Sequence, residues 1–417
     1  MKLKKLHTPH YKLQTFFYLC IVKTHNFILF AISMFICTTI SSCSKNDTSL
    51  PIIFIKTDSK IQWDDKTSCY IYIITNCDTI CWSGDIKFRG GISSKYPKHS
   101  YALKLDKENS ICDLPKGKSW VLNASFIDKT FMRHKLCYDI FSNMGDYNIA
   151  PKCGYALVNE NGSPKGLYVV MQRLTKRVLN IDDSDDNALI FKEPKVFFAD
   201  SVMPQKSSQN ENFNEQTYPD FEKFGDKSAV LDEFHAFILT SSNEVFKENI
   251  NDWIDIRNVV DWHLLILFTN NGDGVRKNFY LYKIDSETPF RVAIWDCDHS
   301  FGRDGDNERN MLERLTGDYR NILFNRLLGQ DWYQKLLRQR WNELRKSDVI
   351  SYRKIEEMIR ENDKFVRKGL PENLSIWSFE SDFYYDGNNY EQEKALVLEF
   401  VKLSLDTMDK RFGYGRK

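Results

Sequence analysis

The sequence LLILFTNNGDGVRKNFYLYKIDSETPFRVAIWDCDHSFG spans residues 264–302 and sets out the architecture of the second half of the chain. An apolar run ends in a polar, glycine-containing turn at residues 270–274, and two strand-like segments follow, at 279–284 and 290–294. Short runs of β-branched and aromatic residues between polar turns predict strands. The two segments therefore predict a hairpin, and its second strand leads directly into Asp-Cys-Asp at 296–298.

The predicted hairpin brings oxygen-bearing side chains to one place. Asp273 and Asn278 lie just before the first strand, and Asp296 and Asp298 follow the second. Because antiparallel pairing sets the start of one strand beside the end of the other, we expect these side chains to converge. Carboxylate and amide oxygens suit a hard cation, so the sequence predicts a site for Mg²⁺ or Mn²⁺.

The spacing within this stretch follows the logic of phosphoryl transfer. In protein kinases a catalytic Asp orients the attacking hydroxyl, an Asn five residues later binds metal, and a second Asp beyond a strand binds the metal that bridges the phosphates. Asp273 and Asn278 meet the Asp-x-x-x-x-Asn spacing. No His-Arg precedes Asp273, and the later motif is Asp-Cys-Asp instead of Asp-Phe-Gly, so this spacing alone does not identify a kinase.

Composition bounds the class of protein. The chain has 417 residues, 42% of them apolar, which is enough for one large or two ordinary domains. Its 58 basic and 57 acidic residues nearly balance and form no basic stripe, so we expect no nucleic-acid partner. A 14% aromatic content predicts a folded body with a substantial core.

The N-terminus has the pattern of a targeting segment. A lysine-rich leader precedes an apolar run at residues 27–40, which has the length of a signal-peptide core and is too short to span a bilayer. The run ends in Ile-Ser-Ser-Cys at 40–43, which resembles a bacterial lipoprotein box. We therefore predict a lipoprotein signal peptide over residues 1–43, with Cys43 as the lipidation site. The alternative is an ordinary signal peptide with a chance cysteine.

A lipidated Cys43 predicts a protein of the cell envelope, held on the outer membrane or a periplasmic face. Each buried CH₂ group of an acyl chain contributes about 0.8 kcal/mol, so several chains anchor firmly. We expect residues 44–60 to form a tether. Seven cysteines lie beyond Cys43, and an exported protein could pair some of them, but the odd number leaves at least one free in a monomer.

A candidate phosphate-binding loop lies at residues 89–98, RGGISSKYPK. Glycines let backbone N–H groups approach phosphate oxygens, and Lys or Arg supplies charge. The alternative is a hairpin turn with solvated lysines. In the next segment, residues 100–105, apolar residues alternate with Ala102 and Lys104. A kinase places its phosphate-binding lysine on the cleft face of such a strand, although a solvent-facing Lys104 fits the pattern equally well.

The remaining pattern divides the chain into a strand-rich part and a helical part. We predict a β-rich N-terminal lobe at 61–192, a linker or insertion at 193–230 and a helical C-terminal lobe at 231–417. Within the first part, residues 126–144 predict a helix with Asp128 as its N-cap. The Asn-Gly turn at 161–162, between apolar runs, predicts a hairpin.

Five motifs in order resemble the CotH kinase family of atypical secreted protein kinases. They extend from about residue 85 to residue 302, roughly half of the chain. The matching segments are RGGIS at 89–93, PKHSY at 97–101, WVLNA at 120–124 with Asp128, NGSPKGLY at 161–168 and WDCDHSFG at 295–302.

The resemblance implies an α+β, two-lobed atypical protein-kinase-like fold, with a β-rich N-lobe and a mostly helical C-lobe. It implies ATP and Mg²⁺ or Mn²⁺ as cofactors and a hydroxyl of a secreted or surface protein as acceptor, in an enzyme tethered to the membrane by its lipid anchor. The resemblance implies Asp273 as the catalytic residue and Asn278 and Asp296 as metal ligands, with Asp298 as an additional ligand. It also implies that Lys104, or Lys98 in its place, binds the nucleotide phosphates. Arg89 and Ser93 would line the phosphate loop.

Two departures from the family pattern leave alternatives open. Ile92 stands where the family usually has a hydroxyl residue, and Gln172 stands where a strand commonly ends in Glu. A non-catalytic kinase-like lipoprotein that serves in surface binding or adhesion is therefore one alternative. Asp-x-Asp pairs also grip the metal of nucleotide sugars in glycosyltransferases, so a transferase with another nucleotide donor is a second. The segment 89–104 and the Asp273–Asn278 spacing favour the kinase.

Overall fold

Seven strands of the N-terminal part close into a barrel. Their order around it is β1-β2-β3-β4-β5-β7-β6, and β6 returns to β1. Neighbours are antiparallel except β1 and β6, which are parallel. The strands are β1 Ile52–Thr57, β2 Thr67–Ile74, β3 Thr79–Arg89, β4 Ser100–Asn109, β5 Gly117–Asn123, β6 Cys153–Glu160 and β7 Ser163–Gln172.

The computed structural model describes residues 50–75, 78–181, 187–206, 211–303, 321–380, 383–384 and 386–415. The predicted signal peptide, with Cys43, lies outside these residues, as does most of the predicted tether. Contacts group Ser49–Lys417 into one unit. No described helix has both the length and the apolar content needed to cross a membrane. The six described cysteines carry free thiols.

The barrel forms because its strands alternate between inward apolar and outward polar residues. In β4, Tyr101, Leu103 and Leu105 are buried in the barrel core, whereas Lys104 is exposed. β7 differs, because residues 166–172 are all buried. Tyr168 and Val170 belong to the barrel core, while their neighbours along the strand pack into a second core against the helices. β7 is thus covered on both faces.

A second sheet has the strand order β11-β10-β8-β9. Its outer members are antiparallel to their neighbours, and β10 and β11 form the hairpin that the sequence predicts. Large apolar side chains of this sheet pack with the helices in the second core. The strands are β8 Leu189–Lys192, β9 Gln216–Tyr218, β10 Phe279–Lys283 and β11 Arg291–Ile294.

Helices build most of the remaining described chain. One follows the fifth barrel strand, and the others follow β9. They are α1 Arg133–Met144, α2 Phe221–Phe224, α3 Ala229–Thr240, α4 Asn243–Trp253, α5 Ile256–Thr269, α6 Ile322–Leu328, α7 Asp331–Lys346, α8 Tyr352–Ile376 and α9 Tyr390–Phe412. Helix α8 packs on β7 and β6, and α9 packs on α5, so the helices join the barrel to the second sheet.

The prediction of the first helix needs correction. The helix predicted from residue 126 begins at Arg133, and Asp128 is not its N-cap. The Asp128 carboxylate instead accepts hydrogen bonds from the backbone of Thr130 and Arg133 and from the Arg133 guanidinium, which hold residues 128–132 in an irregular turn. The described part of the predicted linker contains β9, which pairs with β8 and so belongs to the second sheet.

The α+β class, with a strand-rich N-terminal part and a helical C-terminal part, is confirmed. The N-terminal part is a closed seven-stranded barrel instead of a kinase-type lobe. Sequence periodicity finds the strands but not the closure, because closure depends on the pairing of β1 with β6, about a hundred residues away. The predicted lobe boundaries stay predictions.

Candidate functional site

The β10–β11 hairpin places the two predicted halves of the site side by side. Phe279 pairs with Ile294, and one step further the Trp295 N–H donates to the Asn278 carbonyl oxygen at 2.9 Å. Asn278 and Asp296 then leave the strands with φ of 62° and 50°. This left-handed conformation is one that Asn and Asp tolerate better than most residues. The hairpin ladder therefore sets both side chains at the same end of the sheet.

A compact group of ligand atoms lies at this end of the sheet. His134, Asp296 and Asp298 each contribute one atom, and the three atoms lie within 4.8 Å of one another. His134 Nε2 is 2.9 Å from Asp296 Oδ1. The Asn278 side-chain amide donates to the Asp296 carbonyl oxygen at 3.1 Å, which leaves Asn278 Oδ1 to serve as an oxygen ligand.

Asp273 stands on the other side of the same group. It begins a 3-10 turn, Asp273–Val275, directly after α5. Its Oδ2 lies 3.0 Å from Lys277 Nζ and 3.8 Å from His299 Nδ1, while His299 Nε2 lies 3.8 Å from Asp298 Oδ1. His299 therefore lies between the two carboxylates. All three of Asp273, Asp298 and His299 keep about a quarter of their side-chain surface exposed, so solutes can reach them.

The two carboxylates that follow β11 have pKa shifts in opposite directions. Burial raises the pKa of Asp296, but the hydrogen bond and charge of His134, together with Arg89 and His299, bring it down to about 2. Burial lowers the pKa of His134, and the bond with Asp296 outweighs it and raises the value to about 9. Burial and the neighbouring negative charge of Asp296 raise the pKa of Asp298. The carboxylate pair therefore repels itself, and a bound cation would relieve that repulsion.

Arg89 brings a positive charge from the barrel to the acidic group. It ends β3, its guanidinium carbon lies 5.8 Å from the centre of the Trp295 ring, and its charge helps to lower the pKa of Asp296. Arg89 forms no ion pair with any residue that the structure describes. Burial raises the pKa of Tyr280, and Arg173, Lys192 and Arg89 oppose that rise, which places three cations near one hydroxyl. Positive and negative groups therefore adjoin at this site.

The other predicted phosphate-binding residues lie in different settings. Ser93 is half-buried in the 3-10 turn Ile92–Lys95, four residues after Arg89, and is not among the ligands around Asp296. Lys104 is exposed on the outer face of the barrel, between Asp85 and Ser119 of the neighbouring strands. The structure therefore brings Arg89 to the acidic group and shows no contact between Lys104 and that group.

Lys98 is buried, with 2% of its surface exposed. Its ammonium donates to the carbonyl oxygens of Ala124 and Leu167 and, at 2.9 Å, to Asn373 Oδ1. The ring of Tyr168 lies 4.4 Å from Nζ. All three ammonium hydrogens are thus used by protein acceptors, which leaves none for a nucleotide phosphate. Burial lowers the pKa of Lys98.

Gln172, which departs from the family pattern, has a structural role here. Its side-chain oxygen accepts from the Lys152 N–H, and its amide donates to the Pro115 carbonyl oxygen. A carboxylate could accept the first of these bonds but could not donate the second. The neutral amide is therefore matched to its surroundings. Ile92, the second departure, is 69% exposed and supplies no polar atom to the loop.

Sequence reasoning did not find His134 or Arg173. His134 lies 162 residues before Asp296, on a helix whose apolar stripe gives no sign of a polar site. Arg173 directly follows Gln172, the last residue of β7. Only the folded arrangement of α1 and β11 brings His134 into the group. A histidine in the first turn of the helix, among other polar residues, gives no distinguishing signal.

A divalent cation fits the donor set on structural grounds. Two carboxylates with opposed pKa shifts and a buried imidazole converge within 4.8 Å, and the Asn278 amide is bonded to the backbone of one of them. Oxygen donors are the ligands that Mg²⁺ and Mn²⁺ share. Asn278, Asp296 and Asp298 could hold such an ion, with Asp273 close enough to meet a group bound beside it.

A family model, a relative and a solved structure are similar to this chain. The family model described as CotH kinase protein matches residues 86–408. Inner spore coat protein H of Bacillus subtilis (strain 168) is 26% identical over 256 residues, which is 60% of this chain and 68% of that protein. The crystal structure of the Helicobacter pylori proinflammatory kinase CtkA shares 11% identity with a TM-score of 0.30, covering 88% of this chain and 99% of that one.

The family model spans well over half of the chain, so the chain belongs to the CotH kinase family. This finding confirms the resemblance that the five sequence motifs indicate. It makes the chain a kinase-like protein.

Proposed function

We propose that this protein is a metal-dependent kinase that transfers a phosphoryl group from ATP to a hydroxyl of a secreted or surface protein. One observation supports the proposal: the β10–β11 hairpin sets Asn278 beside Asp296, and His299 lies 3.8 Å from both Asp273 and Asp298 at the same end of the sheet. These are the residue types, in the order along the chain, that phosphoryl transfer requires.

The proposed roles follow from the contacts. Asn278, Asp296 and Asp298 hold the cation, which when bound neutralises charge between the nucleotide phosphates. Asp273, held by Lys277 at 3.0 Å, accepts the hydrogen of the acceptor hydroxyl and directs its oxygen at the phosphorus. Arg89 supplies positive charge from the barrel side, and its lack of an ion-pair partner among the described residues leaves it available for phosphate.

The two-lobed arrangement is part of this proposal. Arg89 comes from the barrel, whereas the carboxylates come from the turn after α5 and from the end of the second sheet. We place the nucleotide phosphates between these two parts, with Trp295 and Tyr280 on the side of the second sheet. These two rings lie 5.9 Å apart, edge to face, beneath Arg89.

The proposed location is the cell envelope, through a lipid on Cys43. If Cys43 carries the anchor, the first described residue, Leu50, follows it by seven positions. Leu50 would then lie within about 25 Å of the membrane, since an extended chain spans at most about 3.6 Å per residue. Mass spectrometry of the membrane-extracted protein tests this, with Cys43→Ala as the variant expected to lose the acyl mass and to leave the membrane fraction.

The decisive experiment measures nucleotide binding and turnover together. Residues 44–417 should bind ATP only with Mg²⁺ or Mn²⁺, and Asp296→Ala should abolish this metal-dependent binding. Asp273→Asn should keep the binding and the melting temperature but lose about 10²–10⁴ in rate, the usual effect of removing a general base. Full activity in Asp273→Asn would remove Asp273 from the mechanism.

The alternative functions give different results in the same assay. A sugar nucleotide that raises the melting temperature more than ATP does would favour a glycosyl donor, for which the Asp296–Asp298 pair is equally suited. The absence of any nucleotide binding, with the fold intact, would favour the surface-binding or adhesion role.

A further inference from the structure

His134 supplies a nitrogen atom to a group that is otherwise made of oxygens. It is the second residue of α1 and is 2% exposed. Its Nε2 lies 2.9 Å from Asp296 Oδ1 and within 4.8 Å of a carboxylate oxygen of Asp298. Ligand atoms bound to one cation at 2.0–2.3 Å are spaced by about 3 Å, so the position of Nε2 suits a shared ion.

The ion pair with Asp296 engages only one of the two ring nitrogens of His134. A buried histidine with a purely structural role is expected to use both ring nitrogens, because an unpaired buried polar atom costs about 1–3 kcal/mol. His134 Nδ1 is buried and has no hydrogen-bond partner among the described residues. The one polar contact of the ring is therefore the contact with the acidic group.

The framework around His134 holds the ring in this place. Arg133, its neighbour on α1, donates through Nε to the Ser300 carbonyl oxygen at 2.9 Å. One turn further along α1, the Tyr138 hydroxyl accepts the Asp296 N–H at 3.0 Å. α1 is thus bonded to the chain on both sides of Asp298, which fixes the backbone that carries His134 beside the group.

We propose that His134 is a nitrogen ligand of the ion bound by Asp296 and Asp298, and that it makes the site select Mn²⁺ over Mg²⁺. The inference rests on the proposed function, which supplies the ion. Mg²⁺ favours oxygen ligands and retains several waters, whereas imidazole suits the first-row transition metals. One imidazole among oxygens therefore shifts the preference of the site without excluding Mg²⁺.

Electron paramagnetic resonance of bound Mn²⁺ tests the ligand directly, without activity. The full chain with Mn²⁺ alone should show a coupling to ¹⁴N, and labelling the histidines with ¹⁵N should change that coupling by the ratio of the two nuclei. Mn²⁺ that binds with no nitrogen coupling in the wild-type protein would overturn the inference and leave the proposed function intact. Neither ion binding, with Asp296→Ala no different, would overturn both.

Matched substitutions locate the nitrogen. His134→Asn replaces imidazole with an amide oxygen, so Mg²⁺ affinity should persist while the Mn²⁺-to-Mg²⁺ affinity ratio falls at least about tenfold. His299→Asn is the control, because His299 lies 3.8 Å from both Asp273 and Asp298 but outside the ligand group. It should keep the nitrogen coupling and the ratio. Equal weakening of both ions in His134→Asn would make His134 a positioning residue only, and loss of the coupling in His299→Asn would assign it to His299.

Discussion

Single residues in this site carry more than one duty, and Asn278 shows why. Its backbone accepts the last hydrogen bond of the β10–β11 ladder, its side-chain amide fixes the Asp296 carbonyl, and its φ of 62° turns the chain out of the strand. The sequence predicted Asn278 as a ligand from spacing alone. It could not predict the left-handed turn or the bond to Asp296, which depend on the register of the hairpin.

Asn278→Gly and Asn278→Ala separate the role of the side-chain amide in metal binding from the effect of the left-handed backbone on stability. Both variants remove the amide and should weaken Mn²⁺ or Mg²⁺ binding to a similar degree. Only alanine meets a steric penalty in the left-handed conformation, about 1–2 kcal/mol. We therefore expect Asn278→Ala to have the lower free energy of unfolding by about that amount, measured by urea denaturation without metal. Equal stabilities would mean that residue 278 is not held at positive φ.

Lys98 is buried and Lys104 is exposed, so their substitutions should change the stability of the fold by different amounts. Lys98→Met leaves three buried acceptors without a donor, so the free energy of unfolding should fall by about 1–3 kcal/mol or more. The folded variant should bind ATP as the wild type does. Lys104→Met changes an exposed side chain and should alter stability by less than about 0.5 kcal/mol.

Nucleotide titration of the two variants decides between the implied roles. A loss of ATP affinity in folded Lys98→Met would contradict the conclusion that protein acceptors use all three ammonium hydrogens of Lys98. A loss confined to Lys104→Met would show that Lys104 reaches the nucleotide from the outer face of the barrel, as the family resemblance implies.

Among the secondary-structure elements, α5 positions the site because both of its ends are fixed. At its start, Asp255 caps the helix and accepts hydrogen bonds from Arg257 and from Arg291, the first residue of β11. At its end, Asn270 takes a left-handed conformation and leads to Asp273. The sequence predicted the hairpin well, because its strands have strong local periodicity. It missed the start of α1, where a buried arginine captures the expected capping carboxylate.

Asp255 should make stability depend on acid pH. Burial raises its pKa, but Arg257 and Arg291 lower it below the ordinary value near 4. A carboxylate with a lowered pKa stabilises the fold above its unfolded pKa and loses that contribution as the pH falls through the folded value. Asp255→Asn should cost about 1–3 kcal/mol at pH 7, and its difference from wild type should shrink below about pH 4.

Thermal unfolding between pH 3 and pH 7 measures this difference. The exposed Asp252, in the last turn of α4 and three residues before Asp255, supplies the control as Asp252→Asn, which should track the wild type throughout. A gap between wild type and Asp255→Asn that stays constant to pH 3 would exclude the proposed ion pairs.

For the protein as a whole, α8 is the helix that connects the barrel to the helical part. Asn373 Oδ1 accepts from Lys98 Nζ at 2.9 Å and from the Leu167 N–H at 3.2 Å, and Trp377 donates to the Lys165 carbonyl oxygen at 2.9 Å. The sequence pattern predicted a strand-rich part followed by a helical part. It could not predict which helix covers which strand, because that depends on long-range contacts such as Lys98–Asn373.

Asn373→Ala should therefore weaken the whole fold. Removing the acceptor leaves two buried donors short of a partner, which we expect to cost about 1–3 kcal/mol in urea unfolding. Because Lys98 and Asn373 share a hydrogen bond, the double variant with Lys98→Met should cost less than the two single losses added together. Ser375→Ala, an exposed change on the same helix, should be nearly neutral; strict additivity in the double variant would contradict the contact.

The closed ring of barrel strands affects how copies of this protein meet each other. Each of its seven described strands already has a partner on both sides, so none offers a free row of N–H and C=O groups to a neighbouring chain. Copies crowded together on a surface would find no template there for intermolecular β-pairing. Any such association among the described strands would have to begin in the second sheet, at a terminal strand such as three-residue β9, whose short length limits the ladder it can extend.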